Sequence, residues 1–94
     1  LKVSFTPQAR DDLRAIRDWI AIEDERAADG VVARIVQTAM MFRQFPMLGR
    51  EGVVVGTREF SVVGLPYLIV YQIASGGHVD VLTVLHSRRM YPSD

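Results

Sequence analysis

The 94-residue sequence contains no cysteine. That excludes disulfides, thiolate nucleophiles and cysteine-ligated zinc, and it fits a reducing, cytoplasmic setting. It has no excess charge of either sign: eleven Lys and Arg balance eleven Asp and Glu. A protein that grips nucleic acid through phosphates usually carries a marked basic surplus, so strong direct nucleic-acid binding is not expected. No apolar run approaches the roughly 18 residues of a membrane span, and no basic-then-apolar leader opens the chain. Only two histidines are present, His78 and His86, and their placement makes no metal motif. No cofactor is implied. Repeats, linkers and low-complexity stretches are also missing, so a single domain spanning 1–94 is expected. The apolar fraction of 49% is enough for one core. A chain of this length buries roughly 60–65% of its unfolded surface, so an apolar face left uncovered points to a partner.

Alternation in Lys2-Val3-Ser4-Phe5 predicts a short first strand. Thr6 then Pro7 predicts a helix start, a hydroxyl N-cap followed by proline at the first helical position. Ala9, Leu13, Ile16 and Ile20 form one apolar stripe, with Trp19 at its border. Glu23-Asp24-Glu25-Arg26 reads as a solvated turn. A second helix is expected from Arg26 to Gln44, weakened by Gly30 and ended by Phe45-Pro46. It carries two stripes, one of Val31, Ile35, Ala39 and Phe42, the other of Val32, Val36 and Met40.

Strand character fills the rest. One strand is expected over Val53–Val63, with Gly56 as a possible bulge. Tyr67–Ala74 is apolar on both parities, which predicts a central strand covered on two faces. Ser75-Gly76-Gly77-His78 is a tight hairpin turn leading into Val79–Leu85. The predicted order is βααβββ, an α+β fold with a first strand and a helical hairpin packed on a twisted antiparallel sheet. The position of the first strand in that sheet is left open.

Several side chains have both a structural and a functional reading. His86 shares parity with Leu82 and Val84: it either caps the core edge through a ring nitrogen bonded to backbone, or contacts a target or moves a proton. Arg88, Arg89 and Tyr91 leave the same strand end and favour target contact. Arg58 shares a face with Phe60 and Val62, where an unpaired guanidinium is costly. Asp12 is its expected structural partner; the other reading is an arginine offered at the sheet edge. Arg50 is a solvated loop charge or part of a partner surface. Tyr67 and Tyr71 read as core-rim aromatics rather than platforms for bases, and His78 as an ordinary turn residue. The second stripe of helix two packs on helix one or forms a groove for a partner's amphipathic helix. Trp19 is a candidate anchor for such a partner.

Val84-Leu85-His86-Ser87-Arg88-Arg89-Met90-Tyr91-Pro92 delivers a histidine, two arginines and a tyrosine to one strand end. With Phe45-Pro46-Met47-Leu48-Gly49-Arg50, Gly56-Thr57-Arg58-Glu59, Pro66-Tyr67-Leu68-Ile69-Val70-Tyr71, Thr6-Pro7-Gln8-Ala9 and Asp12-Leu13, this series resembles the ParE branch of the RelE/ParE toxin superfamily. The resemblance runs in order along nearly the whole chain. It implies a toxin of a type II toxin-antitoxin system that inhibits or poisons DNA gyrase without bond chemistry. A cognate ParD-like antitoxin would neutralise it in a hetero-oligomer. On this reading no residue is catalytic. Arg58, His86, Arg88, Arg89 and Tyr91 are the target-binding candidates; Trp19, Val31, Ile35, Phe42 and Arg50 are the antitoxin-binding candidates. The alternative is a ribosome-dependent messenger-RNA endonuclease of the RelE branch. That branch commonly has an arginine near the start of the middle strand, where Pro66, Tyr67 and Leu68 stand here.

Overall fold

A computed structural model describes residues 2–88. Strand β1 (Val3–Phe5) leads into helix α1 (Pro7–Ala21), helix α2 (Glu25–Met40), and strands β2 (Arg50–Glu51), β3 (Arg58–Ser61), β4 (Tyr67–Ile73) and β5 (Val79–His86). The fold is α+β, as the pattern predicts: a helical hairpin lies on one five-stranded sheet of order β1-β5-β4-β3-β2. The first strand takes its place beside β5 and runs parallel to it, pairing Val3 with Val79 and Phe5 with Val81. The other neighbours are antiparallel, so the sheet is mixed.

The cap read from Thr6-Pro7 is present and does two jobs. The Thr6 hydroxyl accepts the N–H of Ala9 at 3.1 Å, which starts α1. It also donates to the carbonyl of Leu82 at 2.9 Å, which fixes the start of α1 against β5. Asp24 caps α2 through the N–H of Ala27, so α2 begins at Glu25. It ends as an α-helix at Met40 rather than Gln44, and Met41–Arg43 winds into a tighter 3-10 turn. Phe42 lies in that turn, with its ring stacked on Tyr71 (centroids 3.9 Å apart) and edge-on to Phe60.

The strand expected over Val53–Val63 is a turn followed by β3 alone, with β2 lying ahead of it at Arg50–Glu51. Gly52 donates to the carbonyl of Thr57, and the Thr57 hydroxyl and N–H both bond the carbonyl of Val54. Gly56, at φ +85°, belongs to that turn and not to a bulge. The ladder irregularity falls instead between Val70 and Tyr71 of β4. β4 is the central strand, as expected, with Tyr67, Ile69, Val70 and Tyr71 all buried. Tyr71 is therefore a core residue, more enclosed than the rim position expected for it. Gly76 and Gly77 have positive φ in the β4–β5 turn, matching the hairpin read from Ser75–His78.

Candidate functional site

Three regions hold the side chains singled out in the sequence. The first is the end of β5. His86 pairs with Tyr67 across the ladder, their rings meet edge to face at 5.6 Å, and Nδ1 accepts the N–H of Arg88 at 3.2 Å. The ring-nitrogen contact expected of a structural histidine is thus made, while His86 and Arg88 are both exposed. Burial pushes the Tyr67 phenol above its ordinary range. Arg89 and Tyr91 lie outside the described residues.

The second region surrounds Arg58, and here the expected pairing fails. Arg58 Nη1 donates to the carbonyl of Gly49 at 2.6 Å. Asp12 is engaged elsewhere: its carboxylate accepts the Thr83 hydroxyl, the N–H of Val84 at 3.1 Å and the Gln8 amide at 2.8 Å. A neutral carbonyl suffices for Arg58 because the residue is only half-buried. On the other side of Gly49, the Tyr71 hydroxyl accepts its N–H at 2.8 Å and donates to the carbonyl of Pro46 at 2.8 Å. Burial raises the Tyr71 phenol, opposed by the Gly49 bond and then by the Arg58 charge. A Cβ at Gly49 would lie 2.8 Å from the Tyr71 ring and 2.9 Å from the carbonyl of Glu59, which explains glycine there.

Glu59, charged and on the opposite face of β3 from Arg58 and Phe60, is only 4% exposed. Its carboxylate accepts the N–H of Val53 at 3.0 Å and meets Arg50 Nη2 at 3.3 Å. Arg50 remains largely in water, so this ion pair is half solvated and modest.

The third region is the helical hairpin. Trp19 is 75% exposed and Ile22 77% exposed. Val31 is half-buried against the core. Ile35 and Phe42, expected at an antitoxin surface, are instead fully buried between α2 and the sheet. A side chain without solvent contact has nothing to offer a partner, so both are core residues. Ile22 was missed because it falls just past the periodic stripe of α1. Its apolar character beside Glu23 and Asp24 was the available signal.

The first and third regions meet where Trp19, Tyr67 and His86 line one hollow, but the second lies apart from the first. Arg58 stands opposite Tyr71 and His86 opposite Tyr67, four residues apart along β4. At about 3.3 Å per residue that is about 13 Å of strand. Among the described residues no group of three or more acidic or histidine side chains could hold a metal ion.

The chain is one of the toxins of type II toxin-antitoxin systems. The family described as the ParE toxin of the parDE type II toxin-antitoxin system matches residues 3–91, and the chain belongs to it. It is 34% identical over 91 residues to Y4kP of Sinorhizobium fredii, which carries the name of a toxin, covering 97% of this chain and 93% of that one. It is 33% identical over 89 residues to toxin RelE2 of Caulobacter vibrioides, covering 95% and 98%. The chromosomal ParDE system of P. aeruginosa contains a chain of the same fold, with a TM-score of 0.82 at 22% identity over 92% of this chain and 95% of that one. The isolated E. coli RelE toxin superposes with a TM-score of 0.68 at 14% identity, covering 96% and 87%.

Proposed function

We propose that this chain inhibits or poisons DNA gyrase by surface contact, acts in the cytoplasm, and is neutralised by a ParD-like antitoxin. Membership of the ParE family supports the target and the antitoxin. The observation that carries the non-enzymatic reading is the dispersal of the candidate side chains. Cleaving an RNA phosphodiester needs a base, an acid and a cation gathered around one phosphate. Here the Arg58 guanidinium is engaged by the Gly49 carbonyl about 13 Å along β4 from His86. Target contact falls to the exposed β5 end, to His86 and Arg88 with Arg89 and Tyr91 beyond. The antitoxin falls to Trp19 and the helical hairpin.

The decisive experiment is a supercoiling assay with purified gyrase and toxin, run beside a translation assay that scores transcript cleavage. Loss of supercoiling or trapped cleavage complexes, with translation intact, is expected. Transcripts cut on ribosomes with gyrase turnover untouched would instead establish the RelE-type endonuclease, the reading that likeness to toxin RelE2 keeps open. Replacing Arg88 and Arg89 with alanine should abolish gyrase inhibition and leave the melting temperature and antitoxin binding in place. Full inhibition by that variant would move the target site elsewhere.

A further inference from the structure

The end of the sheet away from His86 carries a knob beside a hollow. The knob is the turn between β2 and β3, where Val55 is 98% exposed and Val53 66% exposed. Apolar side chains at such a tip add nothing to the core, yet the turn is tied down. Gly52 donates to the carbonyl of Thr57, Thr57 bonds the carbonyl of Val54, and the buried Glu59 carboxylate holds the N–H of Val53. A loop fixed in this way has little freedom left to lose when it docks. The hollow, of about 440 Å³, is bounded by Met47, Glu51, Val55, Arg58 and Ile73. Met47 is 64% exposed. A protruding apolar turn and a partly apolar hollow, side by side on one surface, form the self-complementary arrangement that a two-fold contact between identical chains needs.

The charges in the hollow have the same property. Glu51 and Arg58 are direct cross-strand partners on β2 and β3. They nevertheless make no ion pair with each other or with any other side chain among the described residues, and Arg58 is drawn instead to the Gly49 carbonyl. One surface thus presents an acid and a base, each without a counter-charge. Turning a second copy by half a rotation about an axis between them brings each Glu51 to the other copy's Arg58. An occupant of one charge sign would answer only one of the two. The chain as a whole has no net charge to oppose self-association.

We infer that this end of the sheet is a self-association surface, where a second copy of the chain docks about a two-fold axis. The β2–β3 turn of each copy seats in the hollow of the other, Val55 against Met47 and Ile73. Glu51 of each copy pairs with Arg58 of the other. The inference does not depend on the gyrase and antitoxin readings, which use the far end of β5 and the helical hairpin.

The test is sedimentation velocity of the purified toxin from about 1 to about 100 µM. A mass twice the 10.6 kDa of one chain is expected at the upper end. Val55→Asp and Glu51→Arg should each weaken association about 10-fold or more, the first by setting a charge in the apolar seat, the second by facing two cations. Both side chains are exposed, so the melting temperature at a dilution where the wild type is monomeric should not move. Because the chain has no cysteine, Val55→Cys mixed with Met47→Cys should give a disulfide-linked pair on mild oxidation, and Val55→Cys mixed with Trp19→Cys should not. A single-chain mass throughout the range would overturn the second copy. A dimer that survives both Val55→Asp and Glu51→Arg, or that cross-links through Trp19→Cys instead, would overturn this face as the contact. Loss of the dimer with Val55→Asp but not with Glu51→Arg would overturn the reciprocal pairing of Glu51 and Arg58.

Discussion

Replacing Tyr71 with phenylalanine deletes one oxygen and strands two backbone groups. The hydroxyl serves the N–H of Gly49 and the carbonyl of Pro46, each at 2.8 Å, while the ring stays stacked on Phe42. Gly49 is buried, and the space vacated by one oxygen is too small for a water molecule. Its N–H therefore loses its partner outright, a loss that costs about 1–3 kcal/mol. Pro46 is half-buried, so its carbonyl recovers part of its bonding from solvent. The sum is about 2 kcal/mol. For a domain of this size each kcal/mol shifts the midpoint by about 4–8 °C, so a fall of about 8–16 °C is expected. Thermal and urea unfolding of Tyr71→Phe beside Tyr67→Phe measures it. The Tyr67 hydroxyl makes no hydrogen bond among the described residues, and its removal should cost less than about 0.5 kcal/mol. A double-mutant cycle with Arg58→Met adds a further check. Both residues hold Gly49 from opposite sides, so their effects should depart from additivity by about 0.5 kcal/mol or more. If Tyr71→Phe matches the wild type within about 0.5 kcal/mol, the reasoning that the phenol pins this loop is wrong.

Other expectations concern the rest of the frame. Asp12→Ala removes the acceptor shared by the Thr83 hydroxyl and the N–H of Val84, so it should cost about 2 kcal/mol by urea unfolding. Asp12→Asn, which keeps one acceptor oxygen, should cost less. In alkali the folded state holds Tyr67 and Tyr71 protonated above their ordinary 10.0, whereas the unfolded chain ionises there. Their contribution is fully present below that value and is lost as pH rises through the raised values, so stability should fall above about pH 10. The fall should flatten when both are phenylalanine, and an equal fall in that double variant would assign it to other groups.

Short-range features were legible from residue order because they depend on neighbours. Thr6-Pro7 sets a helix start through a side chain and the N–H three residues on. Gly76 and Gly77 supply the positive φ that the last hairpin demands. The doubly apolar run Tyr67–Ile73 is central because only a strand flanked on both sides and covered on both faces can hold it. Trp19 is exposed, as suits a side chain that borders the stripe of α1 without joining it. What distant contacts decide could not be read this way. Alternation put Arg58 on an apolar face, but a carbonyl nine residues away, not Asp12, became its partner. Periodicity put Ile35 and Phe42 on a helix stripe, and only the packing of α2 on the sheet revealed that this stripe is core. Glu59 is buried because residues 50–53 fold back over it, and β1 finds its parallel place only once β5 exists. Local patterns choose the elements; the entropy of closing long loops is repaid only by tertiary contacts, and those contacts choose the partners.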